Sequence, residues 1–344
     1  MGGSADQIRF QDAILEAIFQ RFTKHSEAIS DISKVLDLTV NAIYRRVRGE
    51  TILSPDEIKI LALHYNISLD GLLVDDQTYV PFNYFPLIKP IKSILDYLEN
   101  MRDDLLKITS LPDAMLYYAS AEIPIFYYAY FPELMSFKLY VWAITVWKLD
   151  YLKDRKFESN LLTSKEKMLI EEILAIYRKM PSIEFWSLNI FDNTLNQIEY
   201  FAYMNGFVDP ETPLQLSLAA EKLVAHLREV AKSGHKLLLG DTGDSGSAFE
   251  LYHNEMIFTN NTVFVKNPLK DIVFSSYCNP NFISTEHSGI TAHCFEWFMD
   301  IKDKSTLLSH NSSRHRDRFF DSLARKTKSS INRITQIAEE LKQD

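Results

Sequence analysis

The sequence has few cysteines and no long run of apolar residues. Cys278 and Cys294 are the only two cysteines among 344 residues, so a disulfide framework is implausible and a reducing compartment is expected. The most apolar region, residues 114–147, is interrupted by charged residues and prolines, and falls short of the roughly 18–20 apolar residues of a membrane span. The opening MGGSADQ lacks the basic and apolar segments of a secretory signal. We therefore expect a cytoplasmic protein with no membrane partner.

The sequence also lacks a surplus of positive charge. Its net charge of −9 argues against a protein that coats nucleic acid without regard to sequence. It does not exclude a protein that reads a specific DNA site, because positive charge can be confined to a single helix. Arg45, Arg46 and Arg48 form such a local cluster within an acidic N-terminal segment.

No catalytic or metal-binding pattern in the sequence is complete. Residues 240–247, GDTGDSGS, contain the Asp-Thr-Gly of aspartic proteases and the Gly-Asp-Ser-Gly of serine proteases, but both need mostly β scaffolds. The same loop lacks the Gly-Lys-Ser/Thr of a phosphate-binding loop. Cys278, His287, His293 and Cys294 do not have the spacing of a compact zinc finger. We expect no catalytic residue, no metal, no cofactor and no enzymatic activity.

Residues 26–73 are patterned as a series of short amphipathic helices. A first helix, capped by Ser26, has apolar residues at Ile29, Ile32, Val35 and Leu36. Asp37 follows where a tight turn needs a residue that tolerates a left-handed backbone. After this helix come a second one within VNAIYRRVRG, capped by Thr39 and ended by Gly49, a third opened by Ser54-Pro55, and a last short one carrying Leu69, Leu72 and Leu73.

The second of these helices carries side chains suited to reading DNA. Ile43 and Val47 share its inward face, which leaves polar residues on the outer face. Asn41 can bond an adenine edge and Arg45 a guanine edge in the major groove, while Tyr44 can contact a sugar or a thymine methyl. Basic and capping side chains suit phosphate contacts. The predicted DNA-binding residues are Thr39, Val40, Asn41, Tyr44, Arg45, Arg46 and Arg48.

This stretch resembles the Cro-type (XRE) helix-turn-helix of phage repressors and bacterial regulators. The matching elements are the helix ending at Leu36, Leu38-Thr39, the segment from Ile43 to Gly49, Ser54-Pro55, and residues 67–73, ISLDGLL. The sequence departs from the family at three places: Asp37 replaces the usual Gly, Ser33 replaces a buried Ala, and Arg46-Val47 shifts an inward apolar position by one residue. The resemblance covers about a fifth of the chain and implies a DNA-binding unit.

The remaining sequence predicts a larger domain of helices and strands. We expect a helix-turn-helix domain at 6–75, a linker at 76–90 and an α+β dimerisation or sensor domain at 91–344. Its predicted helices are 91–109, 133–147, 164–180, 194–204, 213–232, 290–301 and 314–341. Its predicted strands are one or two within 114–131, then 182–187 (alternatively a turn), 236–239, 248–252, 256–258, 262–266 and 271–277. The fold class expected is mainly α with a smaller β part.

These patterns together favour a sequence-specific transcriptional regulator. Because one reading helix covers only a half-site, we expect a homodimer on double-stranded DNA. A small-molecule effector of unidentified chemistry remains open as a further partner. Two other classes also remain open: an enzyme carrying a helix-turn-helix targeting module, and a protein-interaction module. The final helix is basic in its first half and could contact DNA or an acidic partner, or form a solvated face. Its basic residues are Arg314, Arg316, Arg318, Arg325, Lys326, Lys328 and Arg333.

Overall fold

The fold is mainly helical, as the sequence predicts. The computed structural model describes residues 10–65, 67–69, 72, 80–241, 245–255, 260–310 and 312–340. Helices make up 55% of the structure and strands 12%, which confirms the expected fold class. Among the described residues, no helix combines the length and apolar character needed to cross a membrane.

The N-terminal helices form a bundle around a hydrophobic core of their own. They are α1 (Phe10–Phe19), α2 (His25–Val35), α3 (Val40–Val47) and α4 (Pro55–His64). Ile14, Ile18, Ile32, Ile43 and Leu61 are completely buried in this core. The helical spacings at 29–36 and 43–47 are thereby confirmed. Residues 6–9 of the predicted domain, and residues 70, 71 and 73 of its predicted last helix, lie outside the described residues.

A short strand lies inside the segment predicted to be a linker. It is β1 (Asn83–Tyr84), followed by the helical turn α5 (Phe85–Ile88). β1 pairs antiparallel with β7 (Phe282–Thr285), with Asn83 opposite Ser284. This part of the segment therefore belongs to the sheet of the C-terminal region, whereas residues 76–79 lie outside the described part of the chain.

In the part of the chain that the structure describes, the C-terminal region is built on one mixed sheet of eight strands. The other six are β2 (Met115–Ala119), β3 (Ser182–Trp186), β4 (Phe249–His253), β5 (Thr262–Lys266), β6 (Ile272–Ser276) and β8 (Thr306–Leu307). Their order is β1-β7-β6-β5-β2-β3-β4-β8. β2, β3 and β4 are parallel neighbours, and the other pairings are antiparallel. The parallel steps require long crossovers, which the helices between these strands provide.

The helices of this region begin and end at local signals in the sequence. They are α6 (Ile94–Thr109), α7 (Ile125–Tyr128), α8 (Pro132–Thr145), α9 (Ser164–Tyr177), α10 (Asp192–Tyr203), α11 (Thr212–Ser233), α12 (Ser288–Asp303) and α13 (Ser313–Glu340). Thr163 and Glu166 form a capping box at the start of α9. Gly234, at φ 72°, ends α11 in the left-handed conformation.

The sheet separates two hydrophobic cores, because side chains on β3 alternate between its faces. Ile183 and Phe185 point toward α12 and pack with Phe298. Trp186 points to the opposite face, where the other helices form the larger core. All five residues of β3 are buried, as expected for a central strand covered on both faces.

The prediction of one or two strands within 114–131 is confirmed by β2, and residues 125–128 form α7 after Pro124. The prediction for residues 236–239 was wrong. Residues 236–239 are not a strand: Lys236 is drawn inward, and its ammonium donates to the carbonyls of Tyr177 and Met180 at 3.3 and 2.7 Å. The predicted strand 256–258 falls on residues outside the described part of the chain.

Candidate nucleic-acid interface

The turn between α2 and α3 sets the direction in which α3 leaves the bundle. Asp37 has φ 51°, so it takes the left-handed conformation predicted for this position. The hydroxyl of Ser33 donates to the carbonyl of Leu38 at 2.6 Å, which closes the turn from the side of α2. Thr39 then caps α3 by accepting from the backbone N–H of Ala42 at 3.3 Å. Ser33 thus supplies a bond across the turn that an alanine could not make.

The outer face of α3 is exposed and carries most of the predicted DNA-binding residues. Ile43 is completely buried beneath the helix, which turns Asn41, Tyr44 and Arg45 outward. Tyr44 is 38% exposed and the side chain of Arg45 is 61% exposed. Thr39, Val40 and Arg48 are exposed as well. Six of the seven predicted residues therefore share one accessible surface.

Arg46 is placed differently from the other six residues. Its guanidinium donates to both carboxylate oxygens of Glu57, from Nε at 3.1 Å and Nη2 at 2.6 Å, and to the carbonyl of Ala42 at 3.1 Å. Only 14% of its side chain is exposed. Glu57 also completes the capping box of Ser54 at the start of α4. Arg46 therefore braces α3 against α4 rather than facing the open surface.

Glu50 lies against the arginines at the end of α3. Its carboxylate accepts from Arg48 Nε at 2.6 Å and Nη2 at 3.2 Å. The same carboxylate lies 3.7 Å from Arg45 Nε. Glu50 is not among the residues predicted from the sequence, although an acidic residue two positions after Arg48 could have indicated an ion pair with that arginine.

Gln11, on α1, bonds the backbone at the end of α3 and in the segment that follows it. Its amide nitrogen donates to the carbonyls of Arg46 and Thr51 at 2.7 and 3.1 Å, and its oxygen accepts from the N–H of Leu53 at 2.6 Å. Gln11 is only 8% exposed. One buried amide thus satisfies three backbone groups in the segment that connects α3 with α4. These contacts span 35 to 42 positions in the chain, so local pattern could not reveal them.

Three of the seven basic residues predicted on α13 bond to other parts of the protein. Lys326 donates to both carboxylate oxygens of Asp192, at 2.7 and 2.8 Å. Arg333 makes two 2.7 Å bonds to Glu199 on α10. Arg316 is buried and bonds backbone carbonyls. These pairs attach α13 to the rest of the C-terminal region, whereas Arg314, Arg318, Arg325 and Lys328 are exposed and make none of these contacts.

The Cys/His segment at 278–294 and the 240–247 loop were the other sites considered from the sequence. No group of three or more metal-ligating side chains is found among the described residues. Burial raises the pKa of Cys294 to about 11, which keeps that thiol protonated at neutral pH. In the 240–247 loop, Ser245 donates to Asp241 at 2.6 Å, while residues 242–244 lie outside the described part of the chain.

No protein-family model, curated protein or solved structure matches the chain.

Proposed function

We propose that the protein is a sequence-specific DNA-binding transcriptional regulator that acts in the cytoplasm. The observation that carries this proposal is the exposed outer face of α3, where Asn41, Tyr44 and Arg45 project from a helix anchored by Ile43. A helix that enters the major groove must present such polar side chains to base edges. The likeness of residues 26–73 to the Cro-type helix-turn-helix supports the same function.

Asn41 and Arg45 are the residues to which we assign base recognition. Their amide and guanidinium groups can each make two hydrogen bonds, to adenine and to guanine respectively. Thr39 and Arg48 are assigned to phosphates, and Val40 and Tyr44 to apolar or sugar contacts. Arg46 is assigned an indirect part, because its bonds to Glu57 position the helix.

A homodimer follows from the size of the reading surface. One α3 covers a half-site, and two copies must lie about 34 Å apart to meet successive major-groove faces. We assign the pairing of the two copies, and the response to any effector, to the C-terminal region.

Selection from random duplex DNA at moderate salt, followed by sequencing, tests the proposed function. We expect one inverted repeat whose half-sites are separated by about one helical turn. Arg45→Ala should weaken binding to that duplex by about 1–3 kcal/mol and relax the preference at one base pair, since a bidentate base contact is lost.

Arg155→Ala is the matched control, because Arg155 is an exposed arginine that lies outside both α3 and α13. Loss of binding with Arg45→Ala but not with Arg155→Ala supports the assignment. If no duplex is enriched, or if both variants bind like the wild type, the proposed interface is incorrect.

A further inference from the structure

Glu50 holds the two exposed arginines that we assign to DNA. It forms a two-point pair with Arg48 and lies 3.7 Å from Arg45. The three side chains are 48%, 56% and 61% exposed for Glu50, Arg48 and Arg45. The cations best placed to meet a DNA backbone are therefore partly neutralised in the absence of DNA.

The backbone fixes Glu50 in this position. Gly49, at φ 71°, donates its N–H to the carbonyl of Arg46 at 3.0 Å, and Glu50 donates to that of Arg45 at 2.8 Å. These two bonds are the pattern of a Schellman motif, which closes the C-terminus of a helix. Glu50, the residue after Gly49, is thereby held beside the last turn of α3. The pairing with the arginines follows from this closure.

A carboxylate at this position does not favour the helix itself. The C-terminus of a helix carries partial negative charge, so an acidic residue beside it is electrostatically unfavourable. An exposed ion pair adds little to the stability of a fold. The hydrogen bond from Arg48 lowers the pKa of Glu50, so the carboxylate stays charged and paired at neutral pH. Its main physical effect is to reduce the positive charge on the outer face of α3.

On the basis of the proposed function, we propose that Glu50 determines the sequence discrimination of α3. On an arbitrary duplex, Arg45 and Arg48 can gain only phosphate contacts, and Glu50 opposes them by competing for the same guanidinium groups. On the operator, the two terminal nitrogens of Arg45 can bond a guanine edge while its Nε stays beside Glu50, so this ion pair is kept. Glu50 therefore suppresses non-specific binding more than specific binding.

The test compares wild type with Glu50→Gln on two duplexes, the selected operator and a scrambled sequence of the same composition. We expect Glu50→Gln to bind scrambled DNA about fivefold to tenfold more tightly, with the slope of log K against log salt steeper by about one phosphate contact. Operator affinity should change by less than about threefold, because the pair between Arg45 and Glu50 is kept when Arg45 bonds the base. Glu50→Asp, which keeps the charge, should retain most of the discrimination.

Glu16→Gln is the matched control, since Glu16 is an exposed carboxylate on α1 of the same bundle. It should leave the ratio of the two affinities unchanged. An unchanged ratio with Glu50→Gln, or an equal gain on both duplexes, overturns the role of Glu50 while leaving the proposed function in place. If wild type selects no operator, the proposed function fails, and this inference fails with it.

Discussion

At the scale of single residues, the carboxylate of Glu57 gives Arg46 a different environment from the other arginines of α3. Glu57 accepts two bonds from Arg46 and also bonds the N–H of Ser54 at 2.8 Å. Its burial acts to raise the pKa, but the contacts with Arg46 and Ser54 prevail, and the pKa lies below its usual value of 4.5. One side chain thus caps α4 and immobilises a cation on α3.

Glu57→Gln tests this arrangement. At pH 7 the variant should lose about 2 kcal/mol of local stability, because a poorly exposed guanidinium loses its charged partner. Hydrogen exchange of peptides covering residues 40–65 in the full chain measures this loss. A carboxyl with a depressed pKa stabilises the fold above its usual value and ceases to do so as the pH falls through the folded value. Wild-type protection should therefore fall below about pH 5, whereas protection of the variant should change less.

A control for Glu57 is available on the same helix. Asp56→Asn removes the adjacent exposed carboxylate and should produce a smaller loss of protection. Equal losses in the two variants would mean that the charge near the start of α4, rather than the bond to Arg46, is responsible.

At the scale of the elements, α1 is a support for the segment between α3 and α4. Leu53 is 3% exposed, and its N–H is bound by Gln11, which also bonds the carbonyls of Arg46 and Thr51. Buried backbone groups without partners are costly, so this amide keeps the segment in one conformation. The orientation of α3 therefore depends on a helix that carries none of the predicted DNA contacts.

Gln11→Leu should release that segment while preserving the volume of the side chain. We expect a loss of about 2–3 kcal/mol, since three backbone groups lose their partner. Hydrogen exchange should increase at residues 46–53, and operator affinity should fall although no DNA-contacting side chain is changed. Gln20→Leu, an exposed position at the end of α1, is the control. Unaltered exchange at 46–53 would show that Gln11 does not support the segment.

At the scale of the whole molecule, a buried polar centre links the sheet to its larger helical layer. Glu184, on the central strand β3, accepts from Tyr127, Tyr177, Ser182 and Trp186 at 2.5 to 3.1 Å. Lys236 lies next to it, with its ammonium 3.5 Å from the centroid of the Tyr177 ring. Burial lowers the pKa of Lys236 to about 7. Burying Glu184 and Lys236 completely costs desolvation energy that a hydrophobic core would avoid.

The low pKa of Lys236 predicts an alkaline gain in stability. Between pH 7 and its usual value of 10.5 the unfolded chain binds more protons at this site than the folded one. The free energy of unfolding should therefore rise with pH, by about 1 kcal/mol per unit between pH 8 and 9. Urea unfolding of wild type and Lys236→Met measures it. The variant should be less stable overall, because the carbonyls of Tyr177 and Met180 lose the ammonium that bonds them, but it should lack this rise. Lys232→Met, an exposed position on α11, should keep it. Parallel pH profiles for wild type and Lys236→Met would refute the prediction.

The sequence alone determined the helices of the N-terminal bundle and the outer face of α3. Their signals are local: Thr39 and Ser54 cap helices, Asp37 and Gly49 take left-handed conformations, and Ile43 marks the inward face. The strand propensity of 262–266 was likewise sufficient, since these residues form β5 within the predicted bounds. Such features depend on neighbours within a few positions, which a pattern can reveal.

Only the tertiary structure decided which of these elements and side chains meet. The parallel pairing of β3 with β2 and β4 joins segments that lie far apart in the chain, so alternation within each strand could not give their order. Residues 236–239 do not form the predicted strand, and the buried ammonium of Lys236 bonds the carbonyl of Met180 instead. Arg46 and Arg45 are adjacent and chemically identical, yet one is held by Glu57 and the other is exposed. The difference arises from the packing of α4 against α3, a contact that composition and spacing do not specify.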